Sequence, residues 1–249
     1  MAGKTALFLD FDGTLAEIVD HPEEVSVHSD IISALERLCG TTGGAVAIVT
    51  GRAIQDIDHF LVPLKLPVAG VHGLERRAAN GAITSATTNS EALLEVSRRL
   101  ERLQSEIAGT QLERKPGSVA FHYRKRPELA EECIAAVHHA IEGMEGLQIL
   151  HGKMVVEVKA GRATKADAIA EFMHEEPFEG RIPVFAGDDV TDEDAFGEIA
   201  RRGGISIKIG GGDTTAGFRV AGTEDFRNWL LSLATSFEGQ MQLDKEARS

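Results

Sequence analysis

The sequence predicts an α/β protein: a parallel-sheet core of βα units, interrupted by an inserted α+β domain made of two α-β-β units. Three observations carry this expectation. Short apolar runs alternate with helix-period segments from Lys4 to about Ser85, the rhythm stops for about seventy residues, and it resumes after Gly161. The core is therefore expected over residues 1–87 and 160–249, and the insert over 88–159.

The first strand is the apolar run Ala6 to Leu9, which has the uninterrupted hydrophobicity of a strand buried on both faces. Ser29 and Asp30 can cap a helix that carries Ile31, Ala34, Leu35 and Leu38 and is expected to stop near Gly40. Ala45 to Val49 is the next buried strand. A helix through Ile54, Ile57 and Leu61 follows, closed by Pro63, and Pro67 to Val71 gives a third strand. In the insert, a helix from Ser90 to Ile107 carries Leu93, Val96, Leu100, Leu103 and Ile107 on one stripe. That stripe covers too few heptads for a coiled coil and suits packing on a sheet. Strands Gln111–Arg114 and Val119–Tyr123 meet at Pro116-Gly117; a helix from Glu128 to Glu142 and strands Gln148–His151 and Val155–Val158 complete the second unit. The core resumes with a helix from Lys165 to Met173, strand Ile182–Ala186, a helix from Asp192 and strand Ile205–Ile209. The polar residues Glu238 to Ser249 are expected to fray.

Composition removes several functions. The 249 residues hold 26 Lys+Arg against 39 Asp+Glu, a net charge of −13, which argues against non-specific nucleic-acid binding. An anionic substrate must then be drawn in by local cations. The two cysteines, Cys39 and Cys133, fall in different predicted domains and suit a reducing compartment. The nine histidines lack zinc-site spacing, and the adjacent His138 and His139 point apart on a helix. Met1 to Lys4 have no secretory h-region, so no signal peptide is expected, and no apolar stretch nears the ~20 residues of a membrane span. The chain is expected to be cytoplasmic and monomeric, acting on a small molecule without nucleic acid or membrane.

The most informative segment is Leu7-Phe8-Leu9-Asp10-Phe11-Asp12-Gly13-Thr14-Leu15-Ala16. Residues i and i+2 of an extended chain point the same way, so Asp10 and Asp12 leave the strand end on one side. Ligands of open α/β sheets sit just outside those ends. Other strand ends add Thr50 and the pair Asp188/Asp189, and Lys165 lies at a helix start. Carboxylates at Asp10 and Asp188 make a hard oxygen site for Mg²⁺, Lys165 a point charge, and Thr50 a hydroxyl donor: the parts phosphoryl transfer needs. Singly, each has a duller explanation, a turn residue, a solvated lysine or a helix N-cap; the ordered set favours chemistry. Gly210-Gly211-Gly212 lacks nucleotide-loop spacing and is expected to be a closing loop.

These segments resemble the motifs of the haloacid dehalogenase (HAD) superfamily of phosphotransferases, beginning with Phe8 to Leu15. The resemblance implies a HAD-like Rossmannoid core with a cap domain. It implies Asp10 as nucleophile, Asp12 as acid and base, and Thr50 and Lys165 as phosphate holders. It also implies Mg²⁺ on Asp10, Asp188 and the backbone carbonyl of Asp12, supported by Asp189 or Asp192. The position of the insert is similar to that of the superfamily's sugar-phosphatase branch. Within it, the strings Val49-Thr50-Gly51-Arg52, His72-Gly73-Leu74-Glu75, Gly187 to Phe196, Glu113 to Arg124 and Val156 to Lys159 resemble the trehalose-6-phosphate phosphatase family. That resemblance runs from residue 5 to about 225, excepting Arg76 to Ser85. It implies hydrolysis of a sugar phosphate bound by Gly51 and Arg52 and, on the insert, by Lys115, Ser118, His122, Arg124 and Glu157. Sucrose phosphate and mannosyl-phosphoglycerate are the alternative substrates, and a non-catalytic binding homologue a further alternative. A response-regulator receiver shares the acid, Thr and Lys set but is half this length and places its acid pair before the phosphoacceptor.

Overall fold

The computed structural model describes residues 2–19, 24–85, 90–115, 117–161 and 163–246. In chain order its elements begin with β1 (Thr5–Leu9), α1 (Ser29–Thr42), β2 (Val46–Val49), α2 (Ile54–Phe60), β3 (Val68–Gly70), β4 (Glu75–Arg77) and β5 (Ile83–Ser85). Next come α3 (Ser90–Glu106), β6 (Gln111–Lys115), β7 (Ser118–His122), α4 (Ala130–Ala140), β8 (Leu147–Gly152) and β9 (Val155–Ala160). The chain closes with α5 (Lys165–Phe172), β10 (Ile182–Gly187), α6 (Glu193–Arg201), β11 (Ile205–Ile209), β12 (Phe218–Val220) and α7 (Thr223–Glu246). Two compact units result: Met1–Thr84 with Thr164–Asp188 and Asp192–Ser249, and Ser85–Ala163 with Asp189–Thr191.

The larger unit is built on an eight-stranded sheet ordered β12-β11-β10-β1-β2-β3-β4-β5, parallel from β12 through β3. Its central strands are buried on both faces, as their apolar runs require. Leu7, Leu9, Val46 and Ile48 face a core completed by α1, α2 and α7. Ala6, Phe8, Ala47 and Val49 face a second core with Ile169 and Phe172 of α5 and Phe196 and Ile199 of α6. Alternate side chains thus lock β1 between two helical layers.

In the smaller unit, a four-stranded antiparallel sheet ordered β6-β7-β9-β8 is covered on one face by α3 and α4. Val96, Leu100, Cys133 and Val137 pack there against Val119, Phe121, Val156 and Val158. Strand alternation sends the other set, including Glu113, Lys115, Ser118, His122, Glu157 and Lys159, to the opposite face. Register aligns Lys115, Ser118, Lys159 and Gln148 in one cross-strand row and Glu113, Ala120, Glu157 and Leu150 in the next.

Several expected boundaries need correction. Helix α1 passes Gly40 and ends at Thr42, where Gly43 takes the left-handed conformation (φ 64°). Gly40 is exposed, and the Thr41 and Thr42 hydroxyls bond back to the carbonyls of Arg37 and Leu38, so the turn continues. The expected frayed tail is helical to Glu246, and 247–249 lie outside the described residues. Phe237 is buried and Glu238 accepts from Arg37 Nε at 2.8 Å, so tertiary contacts extend the helix where composition suggests fraying. The helix expected over 128–142 is a 3₁₀ turn, Pro127–Leu129, followed by the shorter α4. Pro116 of the expected hairpin turn lies outside the described residues. No helix among the described residues is long and apolar enough to cross a membrane. Both cysteines are free, one in each unit.

Candidate active site

The candidate catalytic residues of the larger unit gather at the carboxyl ends of adjacent parallel strands. Asp10 follows β1, Thr50 follows β2 and Asp188 follows β10, with the Asp10 amide bonded to the Ala186 carbonyl at 3.0 Å. After Asp10 the chain turns tightly: the Phe11 carbonyl accepts from the amides of Leu15 and Ala16, at 2.9 and 3.0 Å. Gly13 (φ 73°) is required twice over. Its conformation is left-handed, and a Cβ there would lie 2.2 Å from Asp188 Oδ2. At Gly187 a Cβ would lie 2.4 Å from Asp192 Cγ. Both glycines therefore make room for a carboxylate.

Asp10, Asp188 and Asp192 are buried, and a ligand oxygen from each lies within 4.8 Å of the others. Lys165, the first residue of α5, donates to Asp10 Oδ1 at 2.8 Å and to Asp192 Oδ1 at 2.6 Å. A cation at a helix N-terminus is unfavourable by itself, and these two carboxylates answer it. The helix start is fixed independently by a capping box in which the Thr164 hydroxyl and Asp167 carboxylate satisfy each other's amides. Burial opposes the Lys165 charge, but Asp10 and Asp192 outweigh it and hold its pKa above the ordinary lysine value. Burial pushes Asp10 well above the usual carboxylate range; Lys165 opposes that rise, and Asp192 and Asp188 add to it. The cluster presents one carboxylate oxygen from each of three buried aspartates, a hard oxygen donor set of the kind divalent cations take. The donor set therefore fits Mg²⁺. Asp192, one of the two acids the sequence leaves open, belongs to this cluster. The Asp189 carboxylate instead accepts the Val190 amide at 2.7 Å.

Thr50 is buried, and its hydroxyl oxygen accepts the Arg52 amide at 3.1 Å, which leaves the hydroxyl proton available to a ligand. Arg52, expected to bind substrate, is paired within the unit. Its guanidinium grips Asp12 through Nε (2.7 Å) and Nη2 (2.8 Å) and lies over the rings of Phe60 and Phe11. This two-pronged pairing fixes the orientation of the Asp12 carboxylate. Sequence reasoning missed Lys208, whose Nζ donates to the Asp188 carbonyl from β11. Its signal was a buried lysine inside the apolar strand Ile205–Ile209.

In the smaller unit, Lys115 lies 3.4 Å from Glu157 and 3.8 Å from Glu113, and His122 is 2.8 Å from Glu113. Burial raises the Glu113 pKa, but His122 and Lys115 prevail and set it below the ordinary value. The Ser118 hydroxyl is fully buried without a protein partner. Arg124 lies in the turn beyond β7, which ends at His122. Glu113 and Lys159 join this polar face although sequence reasoning assigned them no role.

The trehalose-phosphatase family profile matches residues 8–223. The chain belongs to that family. Its members are phosphoric monoester hydrolases. The chain is 38% identical over 238 residues to the trehalose-6-phosphate phosphatase of Escherichia coli (strain K12), covering 96% of this chain and 90% of that protein. A crystal structure of a trehalose-6-phosphate phosphatase related protein aligns with TM-score 0.75 and 28% identity, over 94% of this chain and 99% of that one. A haloacid dehalogenase-like hydrolase from B. subtilis aligns with TM-score 0.64 over 91% and 98% at 14% identity, which shows the shared fold. The matched range contains Asp10, Asp12, Thr50, Lys165, Asp188 and Asp192, and the fold is the HAD-like one that the motifs imply.

Proposed function

We propose that the chain hydrolyses trehalose 6-phosphate to trehalose and phosphate through an aspartyl-phosphate at Asp10, with Mg²⁺ as cofactor. The observation carrying this reading is the buried Asp10–Asp188–Asp192 cluster bridged by Lys165 at the ends of neighbouring strands. Asp10, Asp188, Asp192 and the Asp12 carbonyl would hold Mg²⁺. When bound, the ion offsets negative charge and steadies phosphate oxygens.

Thr50 and Lys165 hold the phosphoryl group while an Asp10 oxygen attacks phosphorus in line. As the phosphorus–oxygen bond to the sugar breaks, Asp12 gives its proton to the leaving oxygen. Asp12 then accepts a proton from water, whose oxygen attacks the acyl phosphate and frees Asp10. Residues 88–159 serve as a cap in this reading, with Lys115, Ser118, His122, Arg124 and Glu157 recognising sugar hydroxyls. Chemistry and recognition then reside in different parts of the chain.

Phosphate release measured across trehalose 6-phosphate, sucrose phosphate, mannosyl-phosphoglycerate and a small aryl phosphate tests the substrate. Trehalose 6-phosphate is expected to give the highest kcat/KM; a higher value for another sugar reassigns the substrate, and no turnover leaves only a binding role. Exhaustive chelation should abolish turnover and lower the melting temperature, and Mg²⁺ should restore both, because a ligand that binds the folded state stabilises it. Asp188→Ala should lose the Mg²⁺-dependent rise in melting temperature. A chelated, metal-free protein at full activity would defeat the Mg²⁺ assignment. Truncating Arg124 or Glu157 to Ala should cut efficiency on trehalose 6-phosphate about tenfold or more, since charged hydrogen bonds contribute roughly 1.5–3 kcal/mol. The aryl phosphate should change little. Parallel loss on both substrates would show that these residues serve folding or closure.

A further inference from the structure

The segment joining β3 to β4 carries a backbone anomaly that the roles above do not use. Val71 (φ 47°) and His72 (φ 52°, ψ 37°) are consecutive non-glycine residues in the left-handed region, and Val71 is β-branched and fully buried. L-residues rarely take this conformation, and a β-branched one least of all, so surrounding contacts must hold it. Those contacts lead to one place. The Val71 amide donates to the Arg52 carbonyl and the His72 amide to the Thr50 carbonyl, both at 2.9 Å. Glu75 Oε2 accepts the Ile54 amide at 3.2 Å. The two segments also touch where one of them lacks a side chain. A Cβ at Gly51 would lie 2.6 Å from His72 Nε2, and one at Gly70 would lie 2.7 Å from the Arg52 carbonyl oxygen. Gly51 does not have a positive φ. The space a Cβ would take at 51 is filled by the His72 ring.

We propose, building on the phosphatase reading, that His72 is a positioning residue for phosphate binding: its left-handed backbone and ring set the Thr50-Gly51-Arg52 loop. The loop carries the Thr50 hydroxyl and the Arg52 guanidinium that orients Asp12, so displacement of Gly51 would disturb both groups. The motif His72-Gly73-Leu74-Glu75 gains a purpose distinct from sugar recognition. It supports the half of the site opposite Lys165 in the motif order, and it should matter for any phosphate monoester.

Two variants separate positioning from simple structural support. His72→Gly removes ring and strain together; His72→Asn removes the ring but keeps a residue that tolerates the left-handed region. Each is expected to raise KM and the inhibition constant of inorganic phosphate about tenfold for trehalose 6-phosphate and a small aryl phosphate alike. The melting temperature should be unchanged or, for His72→Gly, higher. Gly51→Ala should be impaired by collision with the ring, and Gly51→Ala combined with His72→Gly should recover part of that loss, a non-additive pairing expected of touching residues. Wild-type KM and phosphate inhibition in folded His72 variants overturn the proposal. So does strict additivity in the double variant, or failure of both His72 variants to fold, which makes the segment merely structural. If wild-type protein releases phosphate from no monoester, the phosphatase reading fails and this proposal falls with it; an active wild type with indifferent His72 variants rejects this proposal alone.

Discussion

Asp10→Asn is expected to lower phosphate release by about a thousandfold or more while leaving the protein folded. The amide is a poor nucleophile, so the covalent route closes, and only binding and electrostatic contributions remain. Its shape is conserved, and its oxygen can still accept from Lys165, which keeps its second partner Asp192 at 2.6 Å. Burial raises the Asp10 pKa well above the carboxylate range, so the ionised form is costly in this site before any cation binds. A neutral side chain relieves that cost, and the metal-free variant should melt at or above the wild-type temperature. Steady-state turnover and a melting curve on the same preparation check both halves. Near-wild-type turnover by a folded Asp10→Asn protein would remove Asp10 as the nucleophile.

The layout of the core was legible because its signals are local. Apolar runs ending in Asp10, Thr50 and Asp188 mark central strands, and parallel pairing of β10, β1 and β2 then brings those ends together without further information. The two α-β-β units were legible for the same reason, since period and turn residues recur within short windows. Side-chain partners were not legible in this way. Arg52 reads as a substrate ligand, and nothing local announces that its guanidinium pairs with Asp12, forty positions earlier. The choice between Asp189 and Asp192 depends on which carboxylate the 3₁₀ turn Val190–Asp192 presents to Lys165. Helix ends were missed where side-chain bonds override composition, locally for the Thr42 hydroxyl that bonds to Leu38 within α1 and through tertiary contact for the Glu238 carboxylate on Arg37. The left-handed pair Val71–His72 has no glycine to announce it, because neighbouring backbone carbonyls hold it in place.

Lys165→Met should lose activity and, without metal, lose stability in a manner that depends on pH. Methionine fills most of the lysine stem's volume but removes the one ammonium bonded to two of three buried carboxylates. Breaking a buried ion pair from one side costs about 3–5 kcal/mol, because the remaining charge stays buried and uncompensated. For a chain of this size that corresponds to roughly 10 °C in melting temperature at neutral pH. The sign follows from the direction of the Asp10 shift. A carboxylate whose folded pKa exceeds its unfolded value, 3.8 here, contributes stability that is fully present below 3.8 and lost as pH rises through the folded pKa. Removing Lys165 takes away the main influence holding that folded pKa down, so the loss should deepen as pH rises from about 4 towards 8. At the acid end Asp10 is protonated, the wild-type ammonium has lost that ionised partner, and the difference between the two proteins should be smallest. Added Mg²⁺ should return part of the neutral-pH stability, since it supplies positive charge to the same oxygens. Melting curves from pH 4 to 8 with chelator, repeated with Mg²⁺, test the argument. A deficit of equal size at every pH would mean that Lys165 stabilises the protein by packing and not by charge.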